Sequence, residues 1–328
     1  MPKREFATLA HSLDPRRGVI GWMVSRKLNG WGCVWDGGVT RGLLAVDVPW
    51  YYRGADRPDL KSTGLWTIGR GNKPKVVNAP DWFIDNLPNG LPVQGELWCG
   101  DDLQKVKQIC GQGIRGRSDK RWDQIKFMVY NVKSYSEWEG FSYLVNSKEH
   151  FNGPFGKNQT WQTRMGVAKM LHHENDYWLF HEQEVVESLS HIMLRKNDVL
   201  HFGWEGLVFV NPKSFYESFR SHNVLKWKPE FDIEAEVVGY EDGKTGKNIG
   251  RLGAVICRMF WDEKVLTFTG GKESFIGKRV VFKVSGWSDE EREWEWIKAT
   301  YPIGSELHFT FSGVSENGIP LSCNRVSQ

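Results

Sequence analysis

The 328-residue sequence predicts an α+β fold in two domains: a mixed helix-and-strand domain over residues 1–228 and a compact β domain over 229–328. Up to Trp227-Lys228-Pro229-Glu230, stretches of period-2 alternation are interleaved with stretches at helical spacing. Beyond it, short apolar runs are joined by Gly-rich turns. Hydrophobic residues make up 40% of the chain and charged residues 25%, so there is enough apolar surface to bury a core in each part.

The elements follow in order. Trp22 to Ser25 is extended, Asn29-Gly30 breaks the run, and Trp31 to Trp35 resumes it before the turn Asp36-Gly37-Gly38. Residues 56–80, rich in Gly, Pro, Lys and Asn, read as a loop. Asp81 follows Pro80 and opens a short helix. Val93 to Trp98 is a strand. Leu103, Val106, Ile109 and Cys110 then fall at helical spacing behind two acids, which predicts a helix over 101–110. Ile125 to Val132 is a strand, 159–173 and 182–196 are amphipathic helices, and Gly206 to Val210 is a strand closed by Asn211-Pro212. In the second domain Ile233 to Tyr240, Leu252 to Met259, Val280 to Val284 and Leu307 to Phe311 are strands of a small barrel or sandwich, with the OB-fold a candidate.

Composition narrows the function classes. Lys and Arg number 43 against 40 acids, a net charge of +3, which excludes a polycation but allows a local basic groove. No uncharged apolar run reaches about 18 residues, so no membrane-spanning helix is expected. The N-terminus lacks the apolar stretch of a secretory signal. The five Cys are dispersed and odd in number, which fits reduced thiols in a cytoplasmic protein and offers no zinc site. The 17 Trp, far above ordinary usage, are expected mostly in the core.

Several short segments carry chemistry. Lys27-Leu28-Asn29-Gly30 places a lysine at a strand end held by a turn, where a deprotonated amine can act as nucleophile. Thr40-Arg41-Gly42 follows. Gln94-Gly95-Glu96 and Glu205-Gly206-Leu207 put acids on strands, and Tyr130-Asn131 ends another with an aromatic and an amide. Leu225-Lys226-Trp227-Lys228 sets two lysines on one face of a strand.

In this order, ahead of a β domain, the segments resemble the covalent nucleotidyltransferase superfamily of ATP-dependent DNA ligases, RNA ligases and mRNA-capping enzymes. Ser62 to Arg70, Ala79 to Phe83, and Glu236 to Tyr240 with Gly246 to Ala254 look most like the small DNA ligases of phages and bacteria. The resemblance runs from about residue 20 to about 320 and implies a nucleotidyltransferase domain of antiparallel sheets, ATP-grasp-like, followed by an OB-fold barrel that binds DNA.

It also implies ATP as substrate, with AMP held covalently on Lys27, and nicked duplex DNA as partner of a monomer in the bacterial or phage-infected cytoplasm. Lys226 and Lys228 face the α-phosphate. Arg41, Glu96, Tyr130, Glu205 and Asn29 bind the nucleotide, Tyr130 by stacking on adenine. Glu96 and Glu205 hold Mg²⁺ or Mn²⁺. Arg41, Arg70, Lys244, Lys247, Arg251 and Arg325 contact DNA. The chain departs from the ligase pattern Lys-x-Asp-Gly at Asn29, from its usual basic residue at Gly32, and from its second acid at Asn131. These departures keep open a degenerate nucleotidyltransferase that binds nicks without catalysis, and an RNA ligase or capping-type enzyme is the other alternative.

Overall fold

The structure is a computed structural model that describes residues 6–52, 59–68, 73–133, 159–171, 176–269 and 271–326. It divides into two compact units, residues 1–195 with 206–227, and 196–205 with 228–328.

The first unit holds strands β1 (Leu9–Ser12), β2 (Met23–Arg26), β3 (Trp31–Trp35), β4 (Leu65–Thr67), β5 (Val93–Trp98), β6 (Lys126–Val132), β7 (Trp178–Phe180), β8 (Glu184–Val185), β9 (Leu207–Val210) and β10 (Arg220–Trp227). Its helices are α1 (Asp81–Asp85), α2 (Leu103–Cys110) and α3 (Trp161–Leu171); α4 (Leu189–Phe202) carries the division between units. One sheet runs β1-β10-β9-β2-β8 and the other β4-β3-β5-β6-β7. Both are mixed, because β1 lies parallel to β10 and β7 parallel to β6. The expectation of antiparallel sheets is corrected in this respect.

Local chemistry accounts for several of these elements. Asp102 caps α2 by accepting the Lys105 amide at 2.8 Å. Val106, Ile109 and Cys110 of α2 then pack into a core shared with β3, β5 and β6, alongside Phe83, Trp122 and Trp161. The helix expected over 182–196 begins later, at Leu189. Glu184 and Val185 instead pair with β2, and Ser188 Oγ accepts the His191 amide at 3.1 Å, so the chain turns before it coils. Within the expected loop 56–80, Leu65–Thr67 adds a strand beside β3.

The second unit holds β11 (Phe231–Asp242), β12 (Leu252–Phe260), β13 (Arg279–Val284), β14 (Glu306–Phe311) and β15 (Asn324–Arg325), ordered β13-β12-β11-β14-β15, with short helices α5 (Glu263–Thr269) and α6 (Trp294–Thr300). The expected closed barrel is not formed by these ladders; the two edges meet in a single bridge, Ser285 to Asn324. Inward-facing Val237, Val255, Phe282, Leu307 and Phe309 build this unit's own core.

Several tryptophans are core residues with a polar handle. Buried Trp66, Trp122 and Trp261 each donate their indole N–H, to Asp36 (3.1 Å), Gly116 O (2.9 Å) and Gly318 O (2.8 Å). All five cysteines are free, and burial pushes the Cys257 and Cys323 thiols up to about 12, far from reactive thiolates.

Candidate active site

Both sheets of the first unit contribute to one cavity of about 310 Å³, within the size range of small-molecule sites. Strand alternation sets its walls. In the β1-containing sheet, Ser25, Val208 and Lys226 form one row across β2, β9 and β10, and Val210 and Val224 lie in the next. All five line the cavity, while their neighbours Val24, Phe209 and Leu225 are buried. In the other sheet Gly32 of β3 pairs with Glu96 of β5, and both line the cavity.

Lys27 follows β2 directly. Its amide donates to Gly206 O at 2.7 Å, and its Nζ lies 3.3 Å from Leu28 O. The preceding carbonyl, of Arg26, meets His181 Nε2 at 2.7 Å. After it, the Asn29 amide donates to Asp101 Oδ1 at 3.2 Å and Asn29 Nδ2 to Asp101 O at 3.0 Å. Gly30 is needed for close approach: a Cβ there would sit 2.6 Å from Leu97 O.

Glu96 is placed by a second such glycine. A Cβ on Gly95 would stand 2.4 Å from Met128 O, so only glycine lets β5 and β6 pair here. The register slips at this point: Gln94 faces Asn131 and Gly95 faces Val129, leaving Tyr130 as the extra residue of a β-bulge. The bulge turns Tyr130 into the cavity, where its phenol oxygen accepts from Gln94 Nε2 at 3.3 Å. Burial, with the Glu96 charge nearby, pushes the phenol well above its ordinary range, so it stays neutral. Gln94 also clasps the Thr8 backbone, accepting its amide at 3.2 Å and donating to its carbonyl at 2.9 Å. This brings Thr8, Leu9 and Ala10 to the cavity wall.

Of the residues expected at the site, Lys27, Glu96, Tyr130 and Lys226 line this cavity. Asn29 does not line it and is bonded to Asp101. Arg41 does not line it; it is bound to α1, 2.6 Å from Asp85 and 3.5 Å from Asp81. Glu205 and Lys228 fall in the second unit and pair with each other at 2.7 Å. Lys228 lies beyond β10, which ends at Trp227. Arg70 lies outside the described residues.

In the second unit, the turn between β11 and β12 carries Lys244, Lys247 and Arg251, each beside an acid: Glu241 at 3.4 Å, Asp289 at 2.6 Å and Glu293 at 3.0 Å. Arg325, expected as a DNA contact, has a side chain 7% exposed that pairs with Glu291 and lies over Trp287 and Trp296 at 5.0 and 5.9 Å.

The sequence reading missed Asp101, His181 and Trp161, all in or behind the cavity. Trp161, a residue of the core, also lines the cavity and donates to Tyr130 O at 3.4 Å. Burial lowers the His181 pKa, favouring the neutral ring that meets Arg26 O.

The cavity joins a wall of valines and aromatics to two lysines and a carboxylate, a pairing suited to a purine base carrying phosphates. Among the described residues no group of three His, Cys, Asp or Glu gathers to hold a metal. Glu96 alone fits a magnesium ion that takes its remaining ligands from phosphate and water. The Glu205 carboxylate is taken up by Lys228.

Comparison with known proteins points the same way. No family model matches the chain. A DNA ligase of Haemophilus influenzae is 24% identical over 303 residues, 92% of this chain and 84% of that one. Its relatives are DNA ligases. That of Enterobacteria phage T6 is 22% identical over 254 residues, and the chain spans about half of its length (49%). A solved structure from a structure-function study of Lig E DNA ligases shares the fold, with TM-score 0.67 and 23% identity over 98% of this chain and 97% of that one. A second, described as Pmar-Lig_Pre., gives TM-score 0.64 at 18% identity over 98% of this chain and 66% of that one.

Proposed function

We propose that the chain is an ATP-dependent DNA ligase that seals nicks in duplex DNA. One observation carries the reading: Lys27, Glu96, Tyr130 and Lys226, far apart in sequence, converge on one cavity in a chain aligned with a DNA ligase over 92% of its length. The Lys27 amine attacks the α-phosphorus of ATP. An N–P bond forms as the bond to the bridging oxygen breaks, the electron pair leaves with pyrophosphate, and the amine proton passes to solvent. AMP then moves to the 5′-phosphate of the nick, and the 3′-hydroxyl displaces it. Such phosphoryl transfers depend on positioning and charge stabilisation. Lys226 meets the α-phosphate charge, while Tyr130 and Trp161 provide flat faces for adenine. A magnesium ion on Glu96 would neutralise phosphate charge.

We assign DNA contact to an OB-fold-like second unit, through Lys244, Lys247 and Arg251, with Lys228 completing the lysine pair of the sequence motif. The chain acts as a monomer in this reading. The binding-only alternative is not favoured, because Lys27, Glu96, Tyr130 and Lys226 line one cavity and the matched relatives are DNA ligases.

The test is incubation with Mg²⁺ and ATP or GTP labelled at the α-phosphate. ATP is expected to leave a covalent label that Lys27→Ala abolishes, and the labelled protein to seal nicked DNA. Labelling by GTP alone would indicate a capping-type enzyme, and nick binding without any label would sink the ligase.

A further inference from the structure

The loop that carries Lys27 is held by a carboxylate from another part of the chain. Asp101 sits in the turn between β5 and α2. Gly100 and Asp101 both have φ of +62°, and the Asp102 amide closes the turn on Cys99 O at 3.2 Å. Positive φ at both central positions marks a type I′ turn, and Asp is among the few side chains that tolerate it. This backbone turns the Asp101 carboxylate toward the Lys27 loop. It accepts the Asn29 amide at 3.2 Å, the Trp98 indole N–H at 2.6 Å and the Arg26 guanidinium at 3.2 Å. The residues on both sides of Lys27 are therefore tied to one anion. Asn29 completes the clasp by donating Nδ2–H to the Asp101 carbonyl at 3.0 Å.

That geometry explains the departure at position 29. The side chain there must donate, because it faces a carbonyl oxygen. An Asp at 29 would set a carboxylate oxygen against that carbonyl, close to a second carboxylate. We propose that Asp101 is the positioning residue of the nucleophile loop, supplying from the β5–α2 turn the negative charge that position 29 lacks. It acts through Arg26 and Asn29, holding the Lys27 backbone so that Nζ reaches the α-phosphorus in line. The proposal rests on the reading of Lys27 as the adenylated residue.

The test uses Asp101→Asn and Asn29→Asp. Asn tolerates positive φ and keeps an acceptor for the Asn29 amide, so Asp101→Asn removes the charge and leaves the turn. Self-adenylation is followed with α-labelled ATP over a range of concentrations. Asp101→Asn is expected to slow the maximal rate about 10- to 100-fold, the scale of a small misplacement of reacting groups, with the half-saturating ATP concentration little changed. Asn29→Asp is expected to be slow as well. Wild-type rate in Asp101→Asn overturns the proposal. If the wild type itself takes up no label, the ligase reading fails, and the clasp is then read from unfolding. Asn29→Ala, Asp101→Asn and their double variant should give non-additive shifts in unfolding midpoint, and additive shifts overturn it.

Discussion

At the scale of single residues, the site depends on places where a side chain is forbidden. Gly95 lies against the Met128 carbonyl, and the atom that a Cβ would meet at 2.4 Å is backbone, which cannot swing aside. Gly95→Ala must therefore push β5 from β6 at the bulge that presents Tyr130. We expect it to cost about 1–3 kcal/mol, the range of overpacking in a tight interior, read as a lower urea midpoint with an unchanged slope. Self-adenylation should fall further than this loss accounts for, because Glu96 and Tyr130 flank the displaced bond. The residues of this site differ in how legible they were. Lys27, Glu96 and Lys226 could be read because each lies in a short motif, on or directly after a strand, and the order of those motifs resembles that of the nucleotidyltransferases. Asp101 could not: in sequence it is an acid ahead of a helix, and only the left-handed turn sends its carboxylate back to Asn29. The surroundings of Arg325 were also illegible, since a terminal arginine looks solvated until Glu291, Trp287 and Trp296 are seen around it.

At the scale of elements, the turn after β3 is organised by a buried acid. Asp36 is fully buried and accepts the Gly38 amide at 2.9 Å, the Trp66 indole at 3.1 Å and the Thr40 hydroxyl. Thr40 in turn meets Ser62 Oγ at 2.7 Å, so this one network joins the Thr40-Arg41-Gly42 and Ser62-Thr63-Gly64 segments. Those segments helped suggest the family, yet here they hold a turn, and Arg41 points to α1. The parallel pairing of β1 with β10 was illegible for a related reason, since it joins strands some 200 residues apart. Burial pushes the Asp36 carboxyl up to about 6 from 3.8 despite its donors. A carboxyl raised in the native state binds its proton more tightly there than in the unfolded chain. Its contribution is favourable below about pH 4 and is lost as pH rises to about 6, a difference of about 3 kcal/mol. Asp36→Asn removes the titration. The stability of the variant relative to wild type should therefore rise between pH 4 and 6 and level off above it, measured by denaturant unfolding across that range. A flat difference would mean that Asp36 is ionised throughout.

At the scale of the whole molecule, a net charge of +3 is modest for a protein that must grip a polyanion. The second unit shows how local that charge is. Lys244, Lys247 and Arg251 share one turn, but Glu241, Asp289 and Glu293 stand beside them at 2.6–3.4 Å. Such exposed pairs are worth little to stability, so a phosphate backbone can displace the acids at small cost. Each cation that then neutralises a phosphate adds about 0.9 to the slope of log affinity against log salt. If all three contact DNA, replacing them together with alanine should flatten that slope by about 2.7 for a nicked duplex, with the thermal midpoint as the control for folding. Asp289→Asn with Glu293→Gln should act in the opposite sense on affinity, tightening binding at low salt because Lys247 and Arg251 no longer exchange an internal partner for the phosphate. An unchanged slope in the alanine variant would leave the turn as a charged hairpin and move the DNA contact elsewhere in the chain.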